Sequence, residues 1–354
     1  MNKLTCRERV IKAINHEETE RIPYNIPIHP KMRKKLENNF GKDFENGINN
    51  HIVGLSPEIG VFPPNESEEE QSGPLDLEEE EFFEETWTDE FGCVWKQNEK
   101  SAPHVEKHPL ENPDLSDYEF PDFSDPERYK IIGKEMKNEE NEDKFTVAGA
   151  GMLFFERAWA LRGFEEILMD FRRNQQFVND LLDNLLEVNL QVLNGILEYE
   201  TDAVIFSDDY GMQNRLIMGP EIWREYLKPR LKRLYKRVKE EDKYVMIHSC
   251  GDNSAIMKDF IELGVDIFNP TQPEAMNIYE LKERWGNEIT FNGGVTTQKL
   301  PSYSPKQIRD EVKKIREKMS ENGGYILETT KPLRWDVPLE TAKAYIDEVK
   351  TQSF

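Results

Sequence analysis

Cysteine is nearly absent: Cys6, Cys93 and Cys250 are the three in 354 residues. An odd, sparse set excludes a disulfide framework and fits a reducing compartment. Basic residues are also in deficit, 46 Lys and Arg against 69 Asp and Glu, for a net charge of -23. That deficit argues against nucleic acid or an anionic membrane as partner, because both need clustered positive charge. No apolar run approaches the roughly 18 residues a membrane span requires. The start, Met1-Asn-Lys-Leu-Thr-Cys6, has no apolar signal region, so a cytoplasmic location is the expectation. Apolar residues amount to 37% and charged ones to 32%. A chain this long can still bury a substantial core, as two average domains or one large barrel.

What is present is organised around Lys243-Tyr-Val-Met-Ile-His-Ser-Cys-Gly-Asp252. Tyr244 to Ile247 reads as a buried parallel strand that ends abruptly in His248, Ser249, Cys250 and Gly251. Side chains alternate along an extended segment, so His248 and Cys250 point the same way. Imidazole and thiolate are favoured zinc ligands, and a catalytic zinc needs only three protein ligands. The alternative is a half-buried His beside a Cys that merely packs. Gly251 lets the backbone turn away.

Along the chain, residues 4–16 read as an amphipathic helix, with Thr5 and Glu8 forming a capping box. Arg21 to His29 is extended, its prolines forbidding helix. Residues 52–59 offer a weaker extended piece. The acidic run at 66–85 reads as a solvated loop or a charged strand flank. Glu85 to Trp95 looks like a β-hairpin with an apolar face of Trp87, Phe91, Val94 and Trp95. Residues 101–127, rich in proline and acids, read as irregular. From 145 onward strands and helices alternate: strands at 145–149, 202–209, 244–247, 265–268, 289–291 and 325–327, with helices at 174–199, 220–238, 255–263, 278–284, 305–319 and 339–349. About eight strand–helix units suggest a (β/α)8 barrel. The expectation is one barrel domain over 1–354, with residues 62–130 an elaboration at one mouth.

The strand ends are polar. Glu156 follows the first, Asp208, Asp209, Tyr210 and Gln213 the second, His248 and Cys250 the third. Asn269 and Gln272 follow the fourth, Asn292 the fifth, and Glu328 and Lys331 the last. In a parallel barrel these converge on the C-terminal face, where barrel active sites lie. An Asp after a strand also serves as a helix N-cap, and that reading stays open for Asp209.

The segment Asp202–Lys239, followed by His248-Ser-Cys-Gly-Asp252, Gly264-Val-Asp-Ile-Phe-Asn-Pro-Thr-Gln-Pro273, Phe291-Asn-Gly-Gly-Val-Thr-Thr-Gln298 and Asp336-Val-Pro338, resembles the uroporphyrinogen decarboxylase superfamily. Arg21-Ile-Pro23, Asp89-Glu-Phe-Gly-Cys-Val-Trp95 and Phe155-Glu-Arg-Ala-Trp-Ala-Leu-Arg-Gly163 fit the same group. The resemblance implies a (β/α)8 barrel and either a decarboxylase or a zinc-dependent methyltransferase that works with corrinoid proteins. The decarboxylases' Gln-Ala-Gly-Arg is absent, since the chain reads Met32-Arg-Lys-Lys-Leu36. The methyltransferase branch carries His-x-Cys plus a distal Cys as zinc ligands. His248 and Cys250 match the first two, the distal Cys is missing, and Glu328 is the substitute that its chemistry allows.

The leading expectation is therefore a methyltransferase moving a methyl group between a small methylated compound and a corrinoid protein, for example by demethylating a methoxylated aromatic ether. Zinc on His248, Cys250 and Glu328 would act as Lewis acid. Asp208, Asp209 and Glu156 would orient substrate or transfer protons. Tyr210, Gln213, Asn269, Gln272, Asn292 and Lys331 would bind substrate, with Trp87, Trp95 and Trp159 near the mouth. A homodimer is also expected. The competing expectations are a metal-free decarboxylase-like lyase gripping a tetrapyrrole's carboxylates with Arg21, Arg33 and Arg334, and a non-catalytic ligand-binding barrel.

Overall fold

A computed structural model of the protein describes residues 4–41, 44, 47–59, 84–98 and 101–352. The acidic run lies outside the described residues up to position 83. In chain order the strands are β1 (Ile52–Leu55), β2 (Glu84–Thr88), β3 (Val94–Asn98), β4 (Ser101–Lys107), β5 (Phe145–Met152), β6 (Ala203–Ser207), β7 (Tyr244–His248), β8 (Ile267–Thr271), β9 (Thr290–Val295) and β10 (Tyr325–Thr329). Seven of them form one curled parallel sheet in the order β1-β5-β6-β7-β8-β9-β10. Every strand of β8 and β9 is buried along its whole length, as expected where helices cover both the sheet and its interior is filled.

Helices link consecutive strands. After β5 come Phe155–Arg162, Phe164–Arg173 and Gln175–Leu197; after β9 comes Pro305–Met319, and after β10 Leu339–Thr351. Local signals set several of their limits. Ser304 and Gln307 close a capping box with Pro305 at the first position, and Thr5 and Glu8 do the same for Cys6–Ile14. Gln175–Leu197 buries Phe177, Leu181, Leu185, Val188, Val192 and Ile196, an apolar face at helical spacing. Each such side chain contributes roughly 1.5–3 kcal/mol of apolar burial.

The parallel ladder holds seven strands where about eight units were expected. Arg21 to His29 is extended, but Pro23 and Pro27 lack the N–H groups a ladder needs. It makes isolated parallel bridges instead, Tyr24 with Leu327 and Ile28 with Leu333. Leu327 donates to the Pro23 carbonyl at 2.9 Å, and His51 donates to that of Tyr24 at 3.0 Å.

Two local readings change. Residues 101–127 are not irregular throughout, because Ser101–Lys107 pairs antiparallel with β3. That makes a three-stranded sheet, β2-β3-β4, and covers an edge that the hairpin would leave open. Pro103 is tolerated because β4 is itself the edge strand. Pro30–Phe40 is helical, started by Pro30 and capped by His29, and it buries Met32 and Leu36, four residues apart, a spacing that the sequence reading passed over. The hairpin turn is tied down by Asp89, whose carboxylate accepts from Phe91 N, Cys93 N and Trp95 Nε1 and pairs with Arg157 Nη1 at 2.7 Å, both side chains fully enclosed.

Candidate functional site

Two loops cross at the ends of β6 and β7. Gly211 donates to the Cys250 carbonyl at 3.1 Å, and Asp252 donates to that of Met212 at 2.7 Å. Gly251 sits at φ +81°, and a Cβ there would lie 2.2 Å from the Gly211 carbonyl. Only glycine permits both the left-handed turn and the close approach. Asn253 braces the turn from beneath by donating to the carbonyls of Ser249, Cys250 and Gly251. Ser249 Oγ in turn accepts from the Tyr210 amide. Ser249 Oγ also donates to Asn253 Oδ1 at 3.1 Å, so the two braces hold each other, and neither was marked by the sequence pattern.

The crossing gathers three donors. Ligand atoms of Asp209, His248 and Cys250 all lie within 4.8 Å of one another. Cys250 Sγ stands 3.6 Å from His248 Nε2, and Asp209 Oδ1 accepts from the Cys250 amide at 2.7 Å. Burial lowers the His248 pKa, keeping the ring neutral and its lone pair available. Burial, with Asp209 beside it, pushes the Cys250 thiol up to about 11. A bound cation would have to displace that proton. One nitrogen, one sulfur and one carboxylate oxygen fit the donor set of a three-ligand zinc site with an open position. Glu328 does not join the group.

Glu328 belongs to a hydrogen-bond chain that crosses four strands. His248 Nδ1 meets Asn269 Oδ1 at 2.6 Å; Asn269 Nδ2 donates to Asn292 Oδ1 at 2.5 Å; Asn292 Nδ2 donates to Glu328 Oε2 at 3.0 Å. Strand register explains the alignment, as His248 lies beside Asn269 across β7 and β8. Burial pushes the Glu328 carboxyl up to about 7, with the Asn292 and Asn25 amides pulling it back.

Asp208 is fully buried and caps a helix from a distance. It accepts from the amides of Phe154 at 3.0 Å, Phe155 at 2.9 Å and Glu156 at 2.7 Å, the first turn of Phe155–Arg162. Burial raises its pKa to about 6 while those three amides hold it down. Capping thus falls to Asp208, and Asp209 is left free to face the donors. Glu156, on the capped turn, is pushed up to about 8 by burial and by Asp209 and Asp208. It holds its proton through neutral pH.

Residues 86–352 match the family described as uroporphyrinogen decarboxylase (URO-D). The chain belongs to the URO-D family. A methyltransferase from Methanosarcina mazei shares the fold, with a TM-score of 0.69 at 17% identity over 98% of this chain and 99% of that one. A B12-independent methionine synthase from Shewanella sp. W3-18-1, in complex with selenomethionine, covers 66% of this chain and of its own at 10% identity and a TM-score of 0.38. No curated protein matches the sequence.

The remaining polar strand ends of this URO-D family chain take different places. Lys331 is an exposed residue whose ammonium hydrogen-bonds Cys250. Burial works against its charge, and Cys250, Asp209 and Glu156 outweigh that and raise its pKa. Gln272 Oε1 accepts from the Gly251 amide at 3.0 Å, steadying the turn, while exposed Gln213 donates to the Glu274 carbonyl. Tyr210 is fully buried against Trp223 and Phe260, inside the wall of the fold. Trp87, Trp95 and Trp159 pack on one another, with Trp95 between the other two. A cavity of about 270 Å³ opens at the opposite end of the sheet, lined by Cys6, Arg9, Arg21, His51 and Asp143. It shares no residue with the Asp209–His248–Cys250 group. No helix among the described residues is long and apolar enough to cross a membrane.

Proposed function

We propose that the protein is a methyltransferase that moves a methyl group between a small methylated compound and a corrinoid carried by a partner protein, using zinc held by Asp209, His248 and Cys250. The observation that carries this reading is the three-donor group at the strand ends, with His248 presenting Nε2 because its Nδ1 is engaged by Asn269. We read the segment from Ile22 to Ile28 as the eighth position of the ring, between β10 and β1, so that Asp209, His248 and Cys250 sit at one mouth. Asp209 takes the third ligand place that the distal cysteine leaves vacant.

When bound, zinc would supply Lewis-acid polarisation of the heteroatom that carries the methyl group. The rest of the chemistry is the chain's own. Glu156 holds a proton beside Asp209 and would deliver it to the oxygen left behind when the carbon–oxygen bond breaks. A corrinoid on the partner protein would supply the electron pair that takes the methyl group as the carbon–oxygen bond breaks. Asp208 keeps Glu156 in place by holding the first turn of its helix. Lys331 balances charge beside Cys250 and Asp209. Arg21, one of the three arginines a tetrapyrrole lyase would use, lines the cavity at the opposite end of the sheet, which weighs against that reading.

The test incubates the zinc-loaded chain with cob(I)alamin and a panel of methyl ethers, methylamines and methyl thioethers. Methylcobalamin formation, followed by absorbance and lost in C250S, supports the reading. No methylcobalamin from any donor, with one zinc bound per chain, removes it.

A further inference from the structure

We propose that Asn292 and Glu328 are positioning residues which, through Asn269, hold His248 as the tautomer protonated on Nδ1 with its lone pair on Nε2. The inference deepens the metal-centre reading and rests on it only for its affinity readout. The argument lies in the direction of the chain. An asparagine side chain can present either its oxygen or its nitrogen, so the ends of a chain of asparagines decide its polarity. Here, with Glu328 ionised, the far end offers acceptors alone. The Glu328 carboxylate accepts from Asn292 at 3.0 Å, and the Ile326 carbonyl accepts from the same Nδ2 at 3.3 Å. Asn292 must therefore turn its oxygen toward Asn269, which must turn its nitrogen toward Asn292. That leaves Asn269 Oδ1 facing His248 Nδ1, an acceptor that requires a proton on that nitrogen.

The consequence is at the other ring nitrogen. Nε2 faces Cys250 Sγ at 3.6 Å, and only an unprotonated Nε2 can ligate. Asn269 and Asn292 are buried, so water does not supply an alternative set of partners. The amides of Asn292 and Asn25 both bond the Glu328 carboxyl, which fixes the terminus of the chain from two elements.

The experiment reads the His248 tautomer by nitrogen-15 resonance in metal-free protein, at a pH above the titration of Glu328, and zinc affinity by chelator competition. Wild type is expected to show Nδ1–H. N292L severs the chain and is expected to populate Nε2–H and weaken zinc binding about 10–100-fold. N292L/N269D places an acceptor-only group directly against His248 and is expected to restore both. E328Q keeps the shape without the charge and is expected to fall between wild type and N292L, which serves as the readout if N292L does not fold. An unchanged tautomer and affinity in folded N292L, or in E328Q, overturns the proposal, as does a folded N292L/N269D without rescue. Wild-type protein that shows Nδ1–H but binds no zinc supports the chain and sinks the metal-centre reading.

Discussion

The two ends of the parallel sheet carry carboxylates in opposite company. At the N-terminal end, Asp202 faces Arg7 at 2.7 Å and accepts from Thr146, and Asp266 pairs with Lys239. Each negative charge there has a cation. At the C-terminal end, Asp208, Asp209 and Glu156 crowd together, and Asp208 and Asp209 are answered mainly by backbone amides. Lys331 is the cation that bears on Cys250, Asp209 and Glu156. At the N-terminal end burial pushes the Asp266 carboxyl up while Lys239 and the Val245 amide pull it back. Crowded carboxylates at the other end raise the folded state's energy, and a protein tolerates that where a cation or a proton is to be handled.

The largest effect should come from the one buried ion pair that fixes the hairpin to the helix bearing Glu156. Arg157→Ala leaves Asp89 enclosed without its cation and removes the guanidinium stacked 3.9 Å over Phe91. A loss of about 3–5 kcal/mol in chemical denaturation is expected. A loss below about 1 kcal/mol would mean that water replaces the arginine. Asp208→Ala strips the acceptor from three helix-start amides and should destabilise by about 2 kcal/mol, within the range for caps and charged hydrogen bonds.

The ends should also differ in pH response. His51, at the N-terminal end, is lowered to about 3 by burial and then by Arg9, Lys144 and Arg21. Its folded pKa lies below the ordinary 6.5, so the unfolded chain takes up the proton first and stability falls as pH drops from 6.5 toward 3. H51Q should flatten that acid limb. Glu156, at the other end, is raised from 4.5 to about 8. Its contribution is fully present below 4.5 and is lost as pH rises toward 8. Metal-free E156Q should therefore gain stability over wild type across that window. Thermal midpoints against pH for the two variants decide both, and parallel shifts in the same direction would erase the contrast. The smallest effect is Arg7→Ala. Arg7 is half-exposed, so its pair with Asp202 should contribute under about 1 kcal/mol and fade with added salt.

Much of this contrast was legible before any coordinates. Regular alternation after residue 145 marked the parallel sheet, and polar residues at successive strand ends marked the end where Asp209, His248 and Cys250 converge. Same-side projection of His248 and Cys250 followed from strand geometry alone. What periodicity could not show was partnership. Asp208 and Asp209 are adjacent and chemically identical, and only the fold brings the amides of Phe154 to Glu156 onto the first and leaves the second beside Cys250. Glu328 carried the chemistry of a ligand, but its reach along the sheet ends at Asn292. Ser249 and Asn253 bond backbone atoms, so nothing in their spacing announced them. The tryptophans near the hairpin were weighed as a substrate cover; Trp87 stands opposite Trp95 across β2 and β3, and Trp159 meets Trp95 from the helix Phe155–Arg162.

The central claim is that Asp209, His248 and Cys250 form one metal centre. Its most direct test is titration of metal-free protein with cobalt(II), a spectroscopic stand-in for zinc. The account predicts saturation at one cobalt per chain with a thiolate-to-cobalt absorption band, the band absent in C250S and binding weakened in D209N. Binding without a thiolate band, or an unchanged band in D209N and H248A, would contradict it.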